Sequence, residues 1–170
     1  NREDVKEQLR FFYKTTGAAL APFDSWLILR GIKTLGIRME QAQKNALEIA
    51  NWLKTQPAVT KVIYPGLPEH PGYEIMKKQA RGFGSMLTFY VDNKEHAFEI
   101  LEKVRMIKFA ESLGGVETLL TYPTTQTHAD VPQEIREKNG ITDCTLRLSV
   151  GIEDARDLIA ELTQVFAELS

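Results

Sequence analysis

The chain has 170 residues, 43% hydrophobic and 26% charged, which is enough for one domain with a sizeable core. Its net charge of −2 arises from interspersed acids and bases, leaving no basic stripe for nucleic acid. No apolar run approaches the roughly 20 residues that cross a bilayer, and the single cysteine, Cys144, excludes an intrachain disulfide and fits a reducing cytoplasm.

The chain opens at Asn1 without a methionine, directly in charged helical sequence, and is read as a fragment. Arg2 to Lys14 is rich in helix formers, with Gly17 as its stop. Asp24 or Ser25 is placed to cap a long helix running toward Gln56, where Pro57 breaks it. Leu35, Met39, Ala42, Ala46, Ile49 and Leu53 recur along it at helical spacing. Earlier in the same stretch Phe23, Trp26, Leu27, Ile28 and Leu29 cover more than one face, so this part is expected to be buried all round. A domain this small struggles to surround a helix, which calls for a neighbour.

After Pro57 strand and helix signals alternate. Val59–Tyr64 reads as a strand, Tyr73–Ala80 as a short helix, and Ser85–Val91 as a strand with Leu87, Phe89 and Val91 on one face. Lys94–Val104 is a helix, and Met106–Phe109 and Glu117–Thr121 are short strands. A short helix is expected between Pro132 and Gly140, a strand over Thr145–Val150, and a closing helix over Asp154–Leu169. The order predicts an α/β (α+β) sandwich: a mostly antiparallel sheet of about four strands, helices on one face and a long N-terminal helix. Residues 1–34 are taken as a helical connection and 35–170 as a small α/β domain, the bare sheet face meeting the neighbour.

Little of the chemistry is local. His70, His96 and His128 lack metal-ligand spacing, and His70 and His96 are read as surface residues. Cys144 has no sequence-near histidine and is read as an inert buried thiol. Gly82-Phe83-Gly84 and Leu113-Gly114-Gly115 do not match phosphate or dinucleotide fingerprints. Arg147 is more informative. In Thr145–Val150, Leu146, Leu148 and Val150 share one face and Thr145, Arg147 and Ser149 the other. A guanidinium fixed on a strand can take a carboxylate bidentately; a surface ion pair is the alternative.

The stretches Gly17–Leu27, Leu29–Leu35, Val62–Pro71, Gly82–Met86, Ala110–Glu117 (Ala-Glu-Ser-Leu-Gly-Gly-Val-Glu), Thr127–Ala129 and Leu146–Glu153 (Leu-Arg-Leu-Ser-Val-Gly-Ile-Glu) carry a resemblance. Together, and in order, they resemble the C-terminal part of the trans-sulfuration, or Cys/Met-metabolism, pyridoxal-phosphate (PLP) enzymes of fold type I. The resemblance implies that Arg147 binds the substrate α-carboxylate, with Ser112 beside it, Glu111 lining the distal substrate pocket and Thr127 near the site. It also implies that the PLP lysine and the other cofactor contacts lie in a preceding domain. No lysine here stands in that motif, and Lys14 reads as an ordinary helix residue, so this chain would hold no catalytic, cofactor or metal ligand of its own.

The expected partners are therefore an amino-acid substrate, the chain's own N-terminal cofactor domain and further subunits of a homotetramer, with neither nucleic acid nor membrane. Within the family, the Tyr122–Pro132 run looks most like the cystathionine β-lyases of methionine biosynthesis, whereas Glu111 is common in γ-acting members (γ-lyase, γ-synthase). The reading follows the former. The rival class is a non-enzymatic module that binds amino acids or partners.

Overall fold

The computed structural model describes residues 2–169 and divides into two compact units, one running to Gly36 and one from Ile37. In the first, α1 (Glu3–Thr16) ends at Gly17, whose φ of 65° is the left-handed stop that glycine adopts without a Cβ penalty. Helix α2 (Pro22–Ile32) follows, and neither helix has a buried residue in this chain.

Two expectations are corrected here. Neither Asp24 nor Ser25 caps α2: the helix begins at Pro22, whose fixed φ suits the first turn, and Ser25 Oγ instead donates back to the Ala21 carbonyl at 2.9 Å. The single long helix is broken at Lys33–Thr34, and a separate α3 spans Leu35–Leu53. Glycine stands on each side of the break at Gly31 and Gly36. The Thr34 N–H closes a tight three-residue bond to the Gly31 carbonyl at 3.3 Å. The stretch expected to be buried against a neighbour is exposed in this chain alone: Phe23 is 67% and Leu29 64% accessible.

The second unit is built on a five-stranded sheet in the order β1-β2-β5-β4-β3. Its strands are β1 (Val59–Ile63), β2 (Met86–Val91), β3 (Lys108–Phe109), β4 (Leu119–Thr121) and β5 (Thr145–Ser149). The β1–β2, β2–β5 and β4–β5 pairs are antiparallel, while the short edge strand β3 pairs parallel with β4. Helix α4 (Tyr73–Gln79) precedes β2, α5 (Lys94–Lys103) follows it, α6 (Gln133–Lys138) precedes β5, and α7 (Ala155–Ala167) closes the chain. Asn93 and Asp154 cap α5 and α7 through their side chains.

One core explains the alternation read from the strands. Leu87, Phe89 and Val91 of β2, Leu120 of β4, and Leu146, Leu148 and Val150 pack with Ala46, Ile49 and Leu53 of α3. Ile100 of α5 and Leu158, Leu162 and Val165 of α7 complete it. The helical stripe of α3 is buried only from Ala42 onward; Leu35 and Met39 are exposed.

The opposite sheet face is partly roofed by the chain's own loops, while Met86, Thr88, Tyr90 and Arg147 on it are half-buried. Thr121, Thr145 and Ser149 on that face are each 2% exposed or less. Gly114 N–H donates to Ser149 Oγ at 2.9 Å, and Thr142 N–H to Thr145 Oγ1 at 2.8 Å. Hydroxyls on a strand can accept loop amides, so a polar face recruits loops as readily as an apolar one recruits helices.

Tyr64, fully buried just after β1, donates its hydroxyl to the Gly84 carbonyl at 2.8 Å. Burial pushes its phenol up to about 12. The unfolded value is about 10, so the neutral form is favoured by folding. That stability is fully present below about pH 10 and is lost as pH rises toward about 12. Denaturant unfolding midpoints are expected to fall across this window, and Tyr64→Phe to flatten the fall. An unchanged slope in the variant would assign alkaline loss to other groups.

Candidate functional site

Strand β5 is central, and its register sets the site. Arg147 lies opposite Thr88 of β2 on one side and Thr121 of β4 on the other. Its neighbours Leu146 and Leu148, 0% and 1% exposed, point into the core, so Arg147 must project to the roofed face. There Nη2 donates a long bond of 3.4 Å to Thr121 Oγ1. Nε is buried and has no partner among the described residues, and no ion pair involves Arg147. Thr121 Oγ1 is itself oriented, donating to the Ala110 carbonyl at 3.0 Å. The guanidinium is thus held from one side, with most of its donors unspent. This geometry disfavours the surface-ion-pair alternative.

The β3–β4 loop reaches the same face. Gly114, at φ 75°, turns the loop so that its N–H meets Ser149 Oγ, two residues along β5 from Arg147. That bond ties the loop bearing Glu111 and Ser112 to β5 at Gly114, and both side chains are exposed.

Thr127 lies on the turn after β4, half-buried, with Oγ1 2.8 Å from His128 Nδ1. The structure therefore joins Arg147, Thr121, Ser149 and the 111–115 loop through register and hydrogen bonds. Thr127 follows from the end of β4 and pairs with its own neighbour rather than with Arg147. Thr121 was legible only as the end of a strand; no sequence signal marks it as the arginine's partner.

The remaining candidates resolve as follows. His96, expected at the surface, has a side chain only 13% exposed, its Nδ1 2.6 Å from Asp92 Oδ1. His70 is half-buried and its Nδ1 accepts the Gly72 N–H at 3.0 Å. Both serve local turns or helix starts, which is why exposure could not be read from polarity alone. Cys144 is half-buried, and burial, with Asp143 nearby, pushes its thiol up, away from the reactive thiolate. Among the described residues no group of three or more His, Cys, Asp or Glu could hold a metal, and no helix is long and apolar enough to cross a membrane.

Comparison with known proteins places this arrangement in context. The family described as Cys/Met metabolism PLP-dependent enzyme matches residues 1–167. A cystathionine gamma-lyase of Dictyostelium discoideum is 48% identical over 165 residues, covering 96% of this chain and 43% of the relative. A cystathionine beta-lyase of Coxiella burnetii is 47% identical over 163 residues, covering 95% and 42%. Among solved structures, that of cystathionine gamma-lyase from Lactobacillus plantarum complexed with L-serine superposes with a TM-score of 0.90 at 41% identity. It covers 98% of this chain and 44% of that one. The chain spans less than half the length of these relatives.

Proposed function

The chain belongs to the Cys/Met metabolism PLP-dependent enzyme family, and we propose that it is the substrate-carboxylate-binding part of a cystathionine β-lyase. The full-length enzyme would cleave the Cβ–S bond of cystathionine and, with water, release homocysteine, pyruvate and ammonia. The observation that carries the reading is the half-satisfied Arg147, with an enclosed Nε and one long bond to Thr121. A buried donor left unpaired costs about 1–3 kcal/mol. A carboxylate taken bidentately would relieve that cost and fix the substrate's orientation. In this reading Ser112 stands beside the same carboxylate, Thr127 borders the site and Glu111 lines its distal end.

PLP, the family's cofactor, supplies the electron sink for chemistry at Cα. The residues of this chain fit the substrate and not the cofactor: Arg147 is a lone fork, and the Gly114 amide that could have joined a phosphate nest is taken by Ser149 Oγ. The proposal therefore assigns the PLP contacts and the catalytic lysine to the length of the relatives that this chain does not span. The exposed apolar surface of α1 and α2 supports a covering neighbour; in this reading the neighbour is the cofactor domain and further subunits of a cytoplasmic homotetramer. This chain by itself is expected to be inactive.

Product analysis of the full-length enzyme on cystathionine tests the reaction. Pyruvate with homocysteine is expected. Release of 2-oxobutyrate with cysteine would replace it with a γ-lyase, the alternative that the exposed Glu111 carboxylate favours. Absence of any product would return the chain to the rival class, a module that binds amino acids or partners.

A further inference from the structure

The turn that carries Thr127 is held from outside by Arg136. The turn is knotted internally: Gln126 N–H donates to the Tyr122 carbonyl at 3.2 Å, His128 N–H to the Pro123 carbonyl at 2.9 Å, and Tyr122 N–H to Gln126 Oε1 at 2.9 Å. Arg136, half-buried on α6, donates from Nη1 to the Thr124 carbonyl at 2.7 Å. Helix α6 is tied in turn to the sheet. The Ile141 N–H donates to the Arg136 carbonyl at 2.8 Å, and Tyr90 of β2 donates its hydroxyl to the Gly140 carbonyl at 2.8 Å. A continuous path of bonds thus runs from β2 through α6 and the Arg136 side chain to the turn.

The cost of this arrangement indicates what it does. Arg136 Nε is buried without a partner among the described residues, and no ion pair among them compensates the guanidinium. An apolar side chain of similar reach would avoid enclosing an unpaired donor. What it could not do is grip a main-chain carbonyl from a fixed distance, which a planar, charge-assisted donor does.

We propose that Arg136 is a positioning residue for the substrate site: by clamping the Thr124 carbonyl it sets where the 122–131 turn presents Thr127. The proposal rests on the carboxylate-site reading above.

The test uses the full-length enzyme with Arg136→Met and Arg136→Lys, measuring hydrogen exchange over residues 122–131 and the KM and kcat for cystathionine. Arg136→Met is expected to speed exchange in the turn, leave β2 and β5 protected, and raise KM about tenfold with kcat changed less than about twofold. Arg136→Lys, which keeps one charged donor, is expected to restore most of both. Should Arg136→Met fail to fold, Arg136→Gln takes its place under the same criteria. Unchanged exchange, or faster exchange with an unchanged KM, would overturn the proposal. Arg147→Lys serves as the control. If it raises KM and Arg136→Met does not, the clamp fails and the carboxylate reading stands; if neither raises KM, that reading fails and the clamp with it.

Discussion

Arg147→Lys in the full-length enzyme is expected to raise the KM for cystathionine by about 2–3 kcal/mol, on the order of 30- to 150-fold. The argument begins with the strand. Thr88 and Thr121 flank Arg147 in register, and Thr121 Oγ1, fixed on the Ala110 carbonyl, accepts from Nη2, so the guanidinium has one orientation. A lysine in the same place offers a point charge with no fork and no planar edge for Thr121 to align. It keeps the charge but loses the second hydrogen bond and the orientation. Because the contact is made in the ground state as well as later, the loss should fall mainly on KM. Steady-state kinetics on the two proteins decides it. A KM within about twofold of the parent would make the buried, half-used arginine a structural residue.

Asn45→Ala is expected to cost about 3 kcal/mol of folding stability. Asn45 is 1% exposed. Its Nδ2 donates to the carbonyls of Gly151 at 3.0 Å and Glu153 at 2.7 Å, and its Oδ1 accepts from Gln41 Nε2 at 2.7 Å. The segment it grips is itself a junction. The Glu153 carboxylate accepts the Thr118 N–H at 2.6 Å and hydroxyl at 2.8 Å, and the Thr118 hydroxyl accepts the Gly151 N–H at 2.9 Å. One amide on α3 therefore ties the start of β4 to the end of β5, the two strands that hold Thr121 and Arg147. Alanine takes this donor from the buried Gly151 carbonyl and the part-buried Glu153 carbonyl, and an unpaired buried acceptor costs about 1–3 kcal/mol. Denaturant unfolding should show the drop in midpoint. Glu48→Ala, at an exposed position on the same helix, should stay within about 0.5 kcal/mol of the parent. Equal effects from the two variants would mean that the network is not the source of the stability.

The places where the reading of the sequence succeeded and failed share a cause. The alternation in Thr145–Val150 named the buried face of β5 correctly because period two follows from strand geometry whatever the strand packs against. The closing helix was likewise legible locally, since its apolar stripe and its acidic start are contiguous in the chain. The long helix failed at Lys33–Thr34 because an amphipathic stripe is blind to a break between Gly31 and Gly36. The apolar run Phe23–Leu29 is exposed in this chain because hydrophobicity states what a residue would gain from cover, not which chain segment supplies it.

For the site, the residues that the family resemblance implies were on the page from the start: Arg147, Ser112, Glu111 and Thr127. Their environment was not. Thr121 sits 26 positions before Arg147 and the Ser149–Gly114 bond spans 35, so each depends on strand order and register rather than on neighbours in the chain. Arg136 belongs with them, since its partner Thr124 is 12 residues away across a turn. By itself the sequence determined most of the elements, the core faces of β2 and β5 and the family, because periodicity and motif order are properties of contiguous residues. Only the tertiary structure decided that loops roof part of the polar face, that Arg147 keeps an unpartnered Nε among the described residues, that Thr121 accepts from it, and that Asn45 grips the segment after β5, because enclosure and hydrogen-bond satisfaction exist only once distant segments meet.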